Sequence, residues 1–276
     1  MAKHLAIILP LALLAACGSK NEKQGDGAAV TPEASAEVKA PSGPLTDIKN
    51  KVACSTVKGQ HAPEGAPADD VLGIRSGTSL EDAKQILTCA NNLYVYSENE
   101  GTWSRGDEKP TQRFLRLSGD GGLDDVFVDF AGPKGTERAV RMIRSIEYAE
   151  GTEQTVEGIK ASLEQKYGKF EELRGYRSNY STGSIVYSID GQRLGVNNSD
   201  FDRCSRGAGF GASDSAALTN CGLVVNYNIE ARPNDSAVTQ RFTVTVFDSM
   251  AAQRLMDGID ATRKAAAEKP TEGPRL

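Results

Sequence analysis

Acid–base chemistry near neutral pH draws first on histidine, and the chain has only two, His4 and His61. His61 lies in Gly59-Gln60-His61-Ala62-Pro63-Glu64-Gly65-Ala66-Pro67, a Gly/Pro/Ala stretch that reads as a loop. A Ser-His-Asp or Cys-His site needs a base held in register, so neither is expected, and most zinc sites fall on the same ground. Ser55-Thr56-Val57-Lys58 has the Ser-x-x-Lys spacing, but the Ser-Asp-Asn and Lys-Thr-Gly motifs that accompany it in acyl transfer are absent. Gly207-Ala208-Gly209-Phe210-Gly211 has the glycine density of a phosphate cradle. It follows no apolar strand, so it reads as a surface loop, with Phe210, Arg203 and Arg206 suited to meet a partner. Asp120, Asp124, Asp125 and Asp129 form the densest acidic group, but their spacing is wrong for an EF-hand and no metal is expected. An aromatic content of 6% with a single Trp103 argues against a sugar-stacking cleft. These residues imply no catalytic constellation and no cofactor.

The N-terminus has a different kind of chemistry. Lys3 and His4 precede the apolar run Leu5 to Leu14, which is too short to span a bilayer, and small residues then lead to a cysteine. Leu14-Ala15-Ala16-Cys17 resembles the lipobox of bacterial lipoproteins. The resemblance implies cleavage after residue 16 by signal peptidase II, a diacylglyceryl thioether and further acylation (a palmitate-type anchor) on Cys17, and attachment to the membrane of the cell envelope. Each buried methylene contributes about 0.8 kcal/mol, so two or three acyl chains hold firmly where one does not. Gly18, rather than Asp, follows the cysteine and implies sorting to the outer membrane, facing the periplasm, in a two-membrane cell. Residues 17–50 are rich in Ala, Gly, Ser, Pro, Glu and Lys and read as a flexible tether. Residues 51–263 read as the globular domain and 264–276 as a disordered tail. The net charge is −5, one unit more negative once Lys3 is removed, and there is no dense basic run, so nucleic acid is not an expected partner.

Lipidation of Cys17 leaves Cys54, Cys89, Cys204 and Cys221, an even number for an oxidising compartment. Four cysteines allow three connectivities, and the two local pairs, Cys54–Cys89 and Cys204–Cys221, are expected.

Three helices must position these groups. The first spans Thr78 to Thr88, with Thr78 and Glu81 as a capping box. The second spans Thr152 to Tyr167, with Val156, Ile159, Leu163 and Tyr167 inward and Gly168 as its stop. The third runs from Ser249 to about Arg263 after Asp248, with Ala252, Leu255 and Ile259 inward. Strands are expected at Arg113–Leu117, Asp125–Phe130, Val140–Glu147, Ser184–Ile189, Gln192–Val196, Gly222–Glu230 and Arg241–Phe247. The Arg138, Arg141, Arg144 series reads as a solvated strand edge that discourages association. Clusters of strands between helices predict an α+β fold with antiparallel sheet. Gly77-Thr78 and Gly151-Thr152 each open a helix, which suggests two related helix-plus-meander halves, 51–150 and 151–263. Gly73-Ile74-Arg75-Ser76-Gly77-Thr78-Ser79-Leu80-Glu81-Asp82-Ala83 resembles, over some 40 residues, the helix start of small outer-membrane-assembly lipoproteins, which implies a helix followed by a small antiparallel sheet.

The expected function is a membrane-anchored, non-enzymatic envelope lipoprotein that binds an envelope protein or contributes to envelope structure; the alternative is a periplasmic module for a small ligand or polysaccharide. Replacing Cys17 with Ser is expected to move the protein from the membrane to the soluble fraction and to remove the lipid mass, read by fractionation and intact mass spectrometry.

Overall fold

The computed structural model describes residues 52–91, 93–102, 108–117, 122–132, 135–173, 179–209 and 220–267. Trp103, Asp120, Phe210, residues 268–276, the leader and the whole tether with Cys17 lie outside them. The described part is α+β. After a short hairpin, β1 (Asp70–Val71) and β2 (Ile74–Arg75), come α1 (Leu80–Ala90), β3 (Tyr94–Thr102), β4 (Glu108–Leu117), β5 (Leu123–Ala131) and β6 (Arg138–Glu147). Then follow α2 (Val156–Tyr167), β7 (Glu171–Leu173), β8 (Tyr180–Ser188), β9 (Arg193–Leu194), α3 (Ser199–Gly209), β10 (Cys221–Arg232), β11 (Asp235–Asp248) and α4 (Ser249–Ala267). Every strand pairing is antiparallel. Nine strands form one sheet in the order β3-β4-β5-β6-β11-β10-β8-β7, with β9 also on β8.

Capping sets the starts of α1 and α2 two and four residues later than the sequence suggests, while α4 starts at Ser249 as expected, with Asp248 Oδ1 accepting the Ala251 N–H. Ser79, not Thr78, caps α1, its hydroxyl accepting the Asp82 N–H. Thr78 is instead buried, accepting from the Arg75 N–H at 3.2 Å and donating to Gln60 Oε1 at 3.1 Å. Thr155, not Thr152, caps α2 by accepting the Gly158 N–H. Gly168 ends it at φ 92°, a conformation that favours glycine. Val156, Ile159, Leu163 and Tyr167 are buried as their spacing predicts. α4 continues to Ala267, so residues 264–267 are helix rather than tail. A fourth helix, α3, occupies Ser199–Gly209, where Gly207 to Gly211 reads as loop. Asn198 Oδ1 accepts the Asp200 N–H at its start, and Phe201 and Cys204 are buried one turn apart.

The sheet has two unlike faces. α1 and α2 cover the first, over a core that includes Val126, Val128, Phe130, Met142, Ile185, Ile229 and Val246. Burying each such side chain contributes about 1.5–3 kcal/mol. α3 and α4 cover one end of the second, packing Phe201, Cys204 and Ala252 on Val140, Val186, Val224 and Phe247. Two β-bulges share a place. Between β5 and β6, Asp129 pairs with Arg141 and Phe130 with Ala139, leaving Val140 over. Between β10 and β11, Glu230 pairs with Arg241 and Ala231 with Thr239, leaving Gln240 over. The helix caps dock beside them in the same way. Ala139 donates its N–H to the Thr78 carbonyl at 2.9 Å, and Thr239 donates its N–H to the Gln154 carbonyl at 3.0 Å.

The arginine series is not a solvated edge. β6 lies between β5 and β11, so its side chains face neighbours on both sides. Arg141 pairs with Asp129 on one face. Arg144 forks onto Asp124, Nε to Oδ1 at 2.9 Å and Nη2 to Oδ2 at 2.8 Å. Only Arg138 is exposed. Strand parity therefore puts Asp124 on one face, with Arg144, and Asp125 and Asp129 on the other.

Both disulfides form as expected, Cys54–Cys89 and Cys204–Cys221. They close 35 and 17 residues of chain. In the loop-entropy account each contributes about 3–4 kcal/mol. Replacing Cys54 and Cys89 together by Ser is expected to lower unfolding free energy by about that amount with the native circular dichroism spectrum retained, measured by urea denaturation. Gly183→Ala is expected to destabilise as well, since a Cβ there would run into the ring of Tyr227 on the neighbouring strand.

Candidate functional site

The β1–β2 turn builds the site. Leu72 and Gly73 both have positive φ, 53° and 81°. That suits glycine at the second position but places a leucine in a conformation costing of order 1–3 kcal/mol. A side chain on Gly73 would sit 2.6 Å from Gly59 Cα, and the Gln60 N–H donates to the Gly73 carbonyl at 2.7 Å. The close approach of two glycine backbones thus pins the 59–61 segment onto the hairpin, and His61 with it.

Asp70, at the head of the turn, is the hub. Its side chain is 5% exposed. Oδ2 accepts the Gly73 N–H at 3.0 Å and Lys166 Nζ at 2.9 Å, while Oδ1 lies 3.2 Å from His61 Nδ1. Tyr167 donates its hydroxyl to the Asp70 carbonyl at 2.8 Å. One residue thereby joins the hairpin, the 59–61 segment and the last turn of α2. Burial alone would raise the carboxyl pKa, but Lys166, His61 and the Gly73 N–H outweigh it and hold Asp70 below the ordinary value. Burial, reinforced by Asp70, pushes the Tyr167 hydroxyl well up.

A second ion pair lies close by. Asp124 accepts the Arg144 fork and the Tyr94 hydroxyl at 3.1 Å. Burial works to lower the Arg144 pKa, but Asp124 reverses this and raises it. Burial and then Asp124 raise that of Tyr94. Arg144 also borders a cleft of about 320 Å³ between the hairpin and α2, with Leu72, Leu163, Phe242 and Val244 as its apolar walls and His61, Asp70 and Lys166 at its polar end. That volume is at the lower end for small-molecule sites.

His61 is thus held to Asp70, against the expectation of a loose loop, although its side chain remains 69% exposed. The pair does not extend into a nucleophile. Ser162, which shares the cleft, donates its hydroxyl to the Gly158 carbonyl of its own helix at 2.9 Å. Arg203 and Arg206 lie on α3, paired with Asp200 and Asp202 at 2.8 Å each, and are not brought to the cleft; Phe210 lies outside the described residues. Ser55 and Lys58 of the Ser-x-x-Lys match are exposed. Among the described residues no group of His, Cys, Asp and Glu is arranged to hold a metal ion. Among them, too, no helix is long and apolar enough to cross a membrane. No protein-family model, curated protein or solved structure matches the chain.

The Asp70 carboxylate must be ionised to hold its partners. With its folded pKa below the unfolded value of about 3.9, it stabilises the fold above that pH and ceases to as pH falls through the folded value. Asp70→Asn is therefore expected to be less stable than the parent by about 1–3 kcal/mol at pH 7. The difference should shrink below about pH 4, as followed by urea unfolding at a series of pH values.

Proposed function

We propose that the chain is an exported, lipid-anchored envelope protein, held through Cys17, whose domain is a non-enzymatic binding module for another envelope protein. The observation that carries the binding reading is the uncovered part of the second sheet face. Asp125, Ser145, Thr243, Asn228 and Thr182 run across five strands in register, all partly exposed, and none belongs to the cluster under α3 and α4. Ser145 and Thr243 hydroxyls meet at 3.0 Å, and the exposed Arg241–Glu147 pair flanks them at 2.6 Å. Such a row offers hydrogen-bonding groups on a rigid surface rather than an apolar core, which suits a polar, separable interface. The cleavable leader, the lipobox and the tether support the envelope placement, and the two disulfides fit an oxidising compartment.

The same reading accounts for the shape of the sheet. The domain is two copies of one unit, a helix followed by a four-stranded meander. α1-β3-β4-β5-β6 corresponds to α2-β7-β8-β10-β11, and the copies meet across β6 and β11 about a pseudo-twofold beside the Arg144–Val244 pair. The equivalent helix caps are Ser79 and Thr155, 76 residues apart, rather than the Gly-Thr dipeptides. The matching bulge residues Val140 and Gln240 are 100 apart. β9 and α3 are an insertion in the second copy, where the first has the short β4–β5 turn, and Cys204–Cys221 staples it. Among the described residues, insertion and C-terminal helix together cover one end of the second face, and the rest is the surface we assign to a partner.

Photo-crosslinking from Thr243 or Asn228 in intact cells is expected to yield one reproducible protein adduct that a label at Glu157, on the exposed side of α2, does not. Equal or absent labelling at the two places would remove the sheet face as the docking surface.

A further inference from the structure

We propose that the cleft between the β1–β2 hairpin and α2 binds a small organic carboxylate with a compact apolar body. The site lies on the opposite side of the sheet from the surface assigned above to a protein partner, so the two readings stand or fall separately.

A count of hydrogen-bonding capacity decides the polarity of the ligand. The two carboxylates are already engaged. Asp70 accepts from Gly73, Lys166 and His61, and Asp124 accepts from Tyr94 and twice from Arg144. The cations are not exhausted. Arg144 commits Nε and Nη2 to Asp124, and its Nη1 has no hydrogen bond to a described residue. Lys166 commits one of its three N–H donors to Asp70, and its side chain remains 39% exposed. Each carboxylate already fills three of its about four acceptor sites, whereas the two cations leave most of their donors over, so the balance calls for a ligand that accepts. Leu72, Leu163, Phe242 and Val244 border the same space, so the ligand also carries apolar surface. Leu72 reaches this position only in a left-handed conformation, and strain of that kind persists where the surrounding structure holds the residue in place.

Charge sets the valence. Lys166 and Arg144 are matched by Asp70 and Asp124, so the cleft carries little excess charge and suits a monoanion better than a phosphate dianion. Arg75 on β2 adds nothing to the cleft, because its own charge is paired with Asp69.

The test is calorimetric titration of the detergent-solubilised full chain with hexanoate, hexanol and hexylammonium at pH 7. Hexanoate is expected to bind about tenfold more tightly than the alcohol or the amine. Ser162→Trp, an exposed position at the edge of the cleft, should abolish binding with an unchanged melting temperature. Hexanoate binding that matches hexanol or hexylammonium, or that survives Ser162→Trp in a folded variant, would overturn the proposal. So would no hexanoate binding at all.

Discussion

The pairing of β6 with β11 carries the rest of the structure. Seven registered residue pairs, from Arg141–Phe247 to Glu147–Arg241, join two four-stranded meanders that would otherwise each expose a long strand edge. An unpaired edge of that length is a template for aggregation, and closing it against the other half removes it from both. The join places Met142 beside Val246 under the two helices, so that one core serves both halves. It is also the most demanding contact to form, because its partners are about 100 residues apart in the chain and loop closure must precede any return from burial.

Two partly buried ion pairs lie beside this join. A sheet interior is a costly place for a guanidinium, and the two on β6 are matched to carboxylates on the adjacent β5: Arg141 to Asp129, and Arg144 to Asp124. The Arg144 fork, with Tyr94 as a third donor, leaves the carboxylate well satisfied, which favours a single register of β5 on β6. Asp70 works the same way between elements with no backbone pairing, tying the hairpin to α2 by side chains alone.

What the sequence made legible was local. Helical periodicity located α1, α2 and α4, and alternation distinguished β6 as a strand although its arginines also fit a helical spacing. The caps shifted because Thr78 is drawn into a tertiary contact with Gln60, leaving Ser79 to serve. α3 was masked by Gly207 and Gly209, although Asn198 as cap and Phe201 and Cys204 one turn apart carried a readable signal. The candidate site was illegible for another reason. His61, Asp70 and Lys166 converge from separations of 9 and 96 residues, and nothing in the composition around His61 announces that a glycine contact will hold it. The meaning of the arginine series likewise depended on which strands flank β6, a non-local fact.

The Cys54–Cys89 bond has a mechanical consequence. Tension arriving along the chain from the N-terminal side meets the domain at Cys54, and the bond diverts it at once to Cys89 in the last turn of α1. The residues between them, including His61 and the hairpin that carries Asp70, are thereby taken out of the load path. Such a pull is delivered to a helix packed on the core rather than to the two-residue strands of the hairpin.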